Sequence, residues 1–320
     1  MPKNSNGIAE FSRKSMMFHD LFRASHLTKD STVTEAFEYR LGVDGGGSGT
    51  RVCLSDARSR PLAHAEGGPS ALSRGVPQAW AAVGEVIARA FEQAGLPPAP
   101  PARCAIGLGL SGVHNSAWAE SFRAADPGYA RLRLATDGYT TLLGAHGGRP
   151  GVIVALGTGS IGEALYPDGS HREVGGWGYP SGDEASGAWL GQRAAQYAQM
   201  ALDGRLDATP LTRAVLEHVG GDWQAMMAWN GRATPTLFAQ LAPLVVANGH
   251  RDSLAAELLR QAGRDAWAIA KALDPEQQLP VALCGGLGRA LRDWLPPEFA
   301  ARLNRPQGDA CAGALLLLAD

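Results

Sequence analysis

The stretch Asp44-Gly45-Gly46-Gly47-Ser48-Gly49-Thr50 holds the clearest chemistry in this sequence. The apolar run Leu41 to Val43 ends in one carboxylate, three glycines follow, and after the two hydroxyl residues the chain alternates through Arg51 to Leu54. This reads as strand, tight turn, strand. A turn stripped of side chains lets backbone N–H groups close on an anion. Asp44, at the strand's carboxyl end, is placed to face a hydrated metal carried by that anion. A second turn of the same build, Gly157-Thr158-Gly159-Ser160, follows the apolar run Val152 to Leu156 and leads into alternation through Leu165. Two such hairpins suggest two related halves facing one polyphosphate.

Two common phosphate motifs are excluded. A Walker A loop needs a Gly-Lys-Ser/Thr ending that opens a helix, and the first turn has no lysine and runs into a strand pattern. A dinucleotide fingerprint needs its ribose carboxylate some 20 residues after the glycines, and Asp44 precedes them. Gly157-x-Gly159-x-x-Gly162 matches that fingerprint formally, but Pro167-Asp168-Gly169 soon after forbids the helix it must open. The plain alternative for the first turn is a glycine-rich hairpin that binds nothing.

Two further loops stay open between binding and structure. Gly175-Gly176-Trp177-Gly178-Tyr179-Pro180-Ser181-Gly182-Asp183-Glu184 mixes aromatic and carboxylate groups in a glycine frame, the combination that holds sugars. Equally, Asp183 would cap the helix expected from Ala185 through Met200, with Trp177 in the core. Gly285-Gly286-Leu287-Gly288, between a strand from Leu279 to Cys284 and a helix from Arg289 to Trp294, either passes beneath a purine or packs strand against helix.

Those loops need a scaffold, and the sequence supplies one. With 320 residues, 45% of them hydrophobic, the chain can build a substantial core in one large or two ordinary domains around a cleft. Its 41 glycines cluster between apolar runs, which fits turn chemistry. A formal charge of −2 without basic or acidic blocks points away from nucleic acid. No apolar segment reaches the roughly 18 residues that span a bilayer, and the N-terminus shows no secretory pattern. A soluble, cytoplasmic protein is expected. Cys53, Cys104, Cys284 and Cys311 are far apart in sequence and belong to no CxxC or Cys/His pair; three lie in apolar, strand-like or helix-like runs and read as buried thiols, which fits a reducing cytoplasm. Residues 1 to about 39 are polar, without sustained period, and read as an extension with one helical turn near Thr34 to Tyr39. From Arg40 the order is three strands, an amphipathic helix from Ala79 to Ala94, a strand from Ala105 to Leu110, a helix from Trp118 to Ala125, a strand from Leu132 to Ala135 that stops at Thr136-Asp137-Gly138, and a helix from Thr140 to Ala145. The pattern restarts after Pro150. Helices dominate from Leu211 to Leu273, and an apolar helix from Asp309 to Leu318 should return to the first domain.

Taken in order, Val43 to Thr50, Thr136-Asp137-Gly138, Gly157 to Ser160, Gly175-Gly176-Trp177-Gly178 with Gly182-Asp183-Glu184, and Cys284-Gly285-Gly286-Leu287 resemble the N-acetylglucosamine kinase and BadF/BadG-type ATPase family, within the actin, hsp70 and sugar-kinase superfamily. The resemblance implies an α/β fold of two ribonuclease H-like (actin-like ATPase) domains, residues 40–148 completed by helix 309–320 and residues 149–308, with a nucleotide and sugar cleft between them. It also implies ATP and Mg²⁺ as cofactors, an amino sugar as substrate, and a homodimer. Gly46, Gly47, Ser48 and Thr50 would take the ATP phosphates on one side, and Thr158 and Gly159 on the other. Gly285, Gly286 and Leu287 match the adenosine turn, Gly176, Trp177 and Asp183 the sugar loop, Asp44 the metal-side carboxylate and Asp137 the catalytic aspartate. An N-cap is the competing role for Asp137. Where members carry a sugar-binding asparagine this chain reads Ser70-Ala71, so Ser70 takes that place. N-acetylglucosamine is the expected acceptor, with glucosamine the alternative. The other readings are a BadF/BadG-like activase, which needs cysteine ligands for a shared iron–sulfur cluster, and a non-catalytic sugar or nucleotide sensor.

Overall fold

The computed structural model describes residues 37–319, so most of the N-terminal extension lies outside it. Two mixed sheets carry the fold. The first joins β1 (Tyr39–Gly45), β2 (Thr50–Asp56), β3 (Pro61–Gly67), β4 (Cys104–Leu110) and β5 (Arg131–Ala135) in the order β3-β2-β1-β4-β5. The second joins β6 (Gly151–Leu156), β7 (Ser160–Leu165), β8 (His171–Gly175) and β9 (Val281–Cys284) in the order β8-β7-β6-β9. In each sheet an antiparallel hairpin leads into a parallel partner, β1 with β4 and β6 with β9. The glycine turns therefore sit at the carboxyl ends of the parallel strands, where open α/β sheets bind ligands.

Helices α1 (Val76–Gln93), α2 (Ser116–Ala124) and α3 (Asp137–His146) follow β3, β4 and β5. Helix α1 buries Val83, Val86, Ile87, Ala90 and Phe91 as one stripe, against a core that includes Leu41, Val43 and Leu108. After β8 come α4 (Gly187–Leu202), α5 (Pro210–Val219), α6 (Trp223–Asn230), α7 (Pro235–Ala239), α8 (Ala242–Asn248) and α9 (Ser253–Leu273); α10 (Gly286–Ala290) and α11 (Pro297–Ala300) follow β9, and α12 (Ala310–Leu316) packs on α3, β1 and β4. Among the described residues, none of the helices is long and apolar enough to cross a membrane.

The seam between α12, α3 and the first sheet is made of glycine. A Cβ at Gly42 would overlap Cys311 O, one at Gly107 would overlap Ala314 O, and one at Gly313 would overlap Thr140 O. A side chain at Gly144 would likewise meet Asp309 O. Turns thus account for only part of the glycine content; these positions let backbones touch inside the packed layers.

Asp252 ties the helical layer together. Its carboxylate accepts from Leu254 N (2.9 Å) and Ala255 N (3.2 Å), which caps α9, and from Leu211 N (2.7 Å) in α5. Burial alone would raise this carboxyl, but the backbone donors outweigh it and hold it below its ordinary value. Asp252→Ala should cost roughly 2–4 kcal/mol at neutral pH, because it removes a cap and orphans a buried N–H. The depressed folded value means this stability is present above the ordinary aspartate range and lost as pH falls through the folded value, so wild type and variant should converge in acid. Urea melts at two pH values check this.

Candidate active site

The first hairpin is closed by Gly46 N donating to Gly49 O (2.9 Å), and Gly46 O accepts from Ser70 N and Ala71 N (3.2 Å each). Side-chain Cβ atoms added at Gly46 or Gly47 would meet nothing within 4 Å, so this turn presents bare backbone to open space, as an anion site requires. Ser48, beside them, is exposed. Thr50 differs from its expected role. It is 1% exposed, and its hydroxyl donates to Gly68 O at 2.6 Å and lies 2.7 Å from Ser70 Oγ. Ser70 is 0% exposed and packs so tightly on Gly45 that a Cβ there would overlap its hydroxyl. Both residues brace the hairpin, their hydroxyls buried and bonded to the loop after β3 and to each other. The short Ser/Thr side chains fill a gap that only the folded turn creates.

Asp44 sits on the same face of β1 as Gly42, two residues on in the strand period, and so points toward α12 and the start of α3. It pairs with Arg51, its cross-strand partner, whose Nε donates to Oδ2 at 3.0 Å. Burial raises the Asp44 carboxyl despite Arg51, and Asp309 adds to the rise.

Asp137 is the first residue of α3, which begins three residues before the expected Thr140. The helix is capped by Thr136, whose Oγ1 accepts from Tyr139 N (3.0 Å). The capping role is thus taken, and the Asp137 carboxylate is left for other work, with its Oδ1 3.1 Å from its neighbour Gly138 N. Burial pushes its carboxyl up, and the charge of Asp44 pushes in the same direction.

The second sheet contributes groups that motif reading missed. Glu163 of β7 lies against the first turn of α3, since a Cβ on Gly138 would overlap Glu163 Oε1. It is 0% exposed, with Oε2 2.8 Å from His171 Nε2 on β8. Burial, then Glu173, then Asp137 hold its carboxyl well above the ordinary range. Glu173 also faces His114, from the loop after β4, at 3.8 Å. The signal available in sequence was the spacing Glu163, His171, Glu173 around a Pro-Asp-Gly turn, which becomes a cluster only once the hairpin register is fixed.

The second turn mirrors the first, with Gly157 N donating to Gly159 O (2.9 Å). Its carbonyls accept from the start of α4, Gly187 N to Gly157 O (2.8 Å) and Ala188 N to Thr158 O (3.1 Å). Asp183 does not cap α4; Ser186 does, accepting from Trp189 N at 3.1 Å. Asp183 instead reaches back to Ser160 N (3.3 Å) and packs so that a Cβ on Gly159 would come within 2.9 Å of its Oδ2. The sugar-loop candidate is thereby fastened to the phosphate-hairpin candidate. Trp177 is 73% exposed rather than core, and Gly176 takes a left-handed conformation (φ 67°) that side chains rarely adopt, with Ile161 2.9 Å from where its Cβ would be.

Gly285 and Gly286 are exposed beyond β9, and Gly285 lies against Leu156 O at a φ of 84°. The helix after this turn begins at Gly286 instead of Arg289, so Leu287 lies within its first turn, half-buried on the second core. A cavity of about 500 Å³ lies between α4 and α9, lined by Glu184, Trp189, Arg193, Tyr197, Gln261 and Asp265. It is a separate feature from the carboxylates around Asp137, although Glu184 adjoins the Asp183 loop. Finally, Cys53 and Cys311, read as unrelated, come together with Asp309, their ligand atoms within 4.8 Å. Both thiols are free and buried.

Two glycine hairpins, each fixed from behind and each open in front, frame carboxylates at the carboxyl edges of two like-built sheets. The profile of one family spans residues 41–317. The chain belongs to the BadF/BadG/BcrA/BcrD ATPase family. The chain is similar to a glucosamine kinase, GspK, of Vibrio cholerae, 34% identical over 87% of this chain and 95% of that protein. A Chromobacterium violaceum structure, provisionally described as an N-acetylglucosamine kinase, is 71% identical over 88% of this chain and 99% of its own, with a TM-score of 0.87. A Porphyromonas gingivalis structure with the same provisional description matches in fold, at a TM-score of 0.65 and 17% identity over 88% of this chain and 98% of its own. The α/β fold is that of these two structures, and membership in the family makes this a nucleotide-binding chain.

Proposed function

We propose that this protein is an ATP-dependent amino-sugar kinase that transfers the γ-phosphate to the 6-hydroxyl of N-acetylglucosamine. One observation carries the reading: Asp137 stands at the head of α3 with its capping duty taken by Thr136, its carboxylate accepting from Gly138 N and lying within the field of Asp44, at the end of the open first hairpin. The two halves, each built on one sheet, would close around the substrates. In that closed site Asp137 orients the sugar hydroxyl and accepts its proton as the oxygen bonds to the γ-phosphorus and the bond to the ADP oxygen breaks. The backbone N–H groups of Gly47 and Ser48, with those of Thr158 and Gly159, hold the phosphates from both sides, while Gly46 closes the first turn with its own N–H and offers its bare backbone beside them. Gly285, Gly286 and Leu287 would lie under the adenine, while Gly176, Trp177 and Asp183 would hold the sugar. Asp44 and Asp137, two carboxylates raised chiefly by burial, with Asp44 adding to the rise at Asp137, fit a hydrated Mg²⁺ on the Asp44 side. When bound, that ion would neutralise phosphate charge.

The glucosamine kinase relative supports a second acceptor, glucosamine, with the same residues in the same roles. Coupled ADP release over N-acetylglucosamine, glucosamine, glucose and N-acetylmannosamine tests the reading. N-acetylglucosamine should give the highest kcat/KM; a higher value for glucosamine moves the assignment to the second acceptor, and sugar-independent release rejects both.

A further inference from the structure

A pair of carboxylates and an imidazole gathers on one face of the second sheet, beside the proposed base but outside its chemistry. Glu163 and Glu173 are directly opposed on β7 and β8, and His171 shares the face of Glu173 two residues earlier. Like charges at opposed positions of a hairpin repel and destabilise the pair. Here one of them is fully buried, which adds the cost of desolvation. Their ligand atoms and that of His171 all lie within 4.8 Å of one another. Glu163 Oε1 and Glu173 Oε1 are both buried without a hydrogen-bond partner among the described residues. Two carboxyl oxygens left without partners, next to an imidazole nitrogen, are a donor set for a cation. The cluster is walled by Gly138 and Tyr139, whose ring stands edge-on to His171 at 4.9 Å, and by His114 at 3.8 Å from Glu173.

We propose that Glu163, His171 and Glu173 form a binding site for one divalent first-row transition ion, distinct from the Mg²⁺ that would accompany ATP. Mixed carboxylate and imidazole ligands suit Zn²⁺, Mn²⁺ or Co²⁺. The bound ion cancels the repulsion between the two strands and joins the β7–β8 hairpin to the first turn of α3, so that its charge acts on Asp137 without touching the sugar or ATP.

The test needs neither substrate. Full-length protein is stripped with chelator, dialysed against Co²⁺, and measured for bound metal and visible absorption, with Zn²⁺ affinity from calorimetry. One ion per chain is expected, with d–d bands and no thiolate charge-transfer band. Glu173→Gln and His171→Gln, whose folding is checked by melting, should each weaken binding roughly tenfold or more, since even outer-shell changes cost that much. Cys53→Ser combined with Cys311→Ser should leave binding unchanged. The proposal is overturned if no ion is retained, if both site variants bind as wild type does, or if a thiolate band places the ion at the buried cysteine pair.

Discussion

Asp137→Asn is expected to fold and to bind ATP as wild type does, while sugar-dependent turnover falls roughly 10²–10⁴-fold, the range that general-base catalysis supplies. Thr136 keeps the helix capped in the variant, and asparagine preserves the acceptor beside Gly138 N, so melting temperature should not move appreciably. Asparagine caps a helix as well as aspartate does, so Asp137→Ala separates the roles: a cap would lose about 1 kcal/mol of stability with modest change in rate. The pH profile gives an independent check. Burial and the charge of Asp44 raise the Asp137 carboxyl, and only its ionised form can take a proton. The rate should therefore fall with acidification, on a limb that begins above the ordinary aspartate range, and that limb should vanish from the residual activity of the asparagine variant. Near-normal phosphorylation by Asp137→Asn would remove this residue from the mechanism.

Gly313→Ala should be the most disruptive single-methyl change in the chain's last helix. The added Cβ would overlap Thr140 O and lie 2.6 Å from Gly144 N, and both obstacles are backbone. No rotamer change relieves such a contact, so α12 must back away from α3, and Gly42 and Gly107 then lose their close fit under Cys311 and Ala314. Overpacking of this kind costs roughly 1–3 kcal/mol when side chains can shift, and the rigid neighbours put this case at about 3 kcal/mol or more. Gly46→Ala is the matched control, because its Cβ meets nothing within 4 Å. Its melting temperature should stay near wild type. Denaturant melts of both variants decide: equal stability would show that the α3–α12 seam is looser than its geometry.

The strands of the first sheet were legible because the chain alternates or runs apolar there, and both glycine hairpins announced themselves through composition. What failed to read has common physical causes. Helix starts shifted because several residues could cap: Thr136 and Ser186 do so, and Asp137 and Asp183, the apparent caps, are thereby released. Burial of Thr50 and Ser70 depends on how the hairpin leans on the loop after β3, which no local pattern records. Gly42, Gly107, Gly144 and Gly313 fall inside the expected strands and helices, and their packing role stayed hidden because close backbone approach leaves no periodic trace. Glu163, His171 and Glu173 needed strand register before they became neighbours. Cys53 and Cys311 needed the C-terminal helix to return to β2.

Release of ADP from MgATP, with and without added N-acetylglucosamine and with the product followed by phosphorus NMR, tests the central claim most directly. The account predicts negligible ADP without sugar, and one 6-phosphorylated sugar formed for each ADP once sugar is present. ADP released at the same rate without sugar, or sugar left unphosphorylated while ATP is consumed, would contradict it.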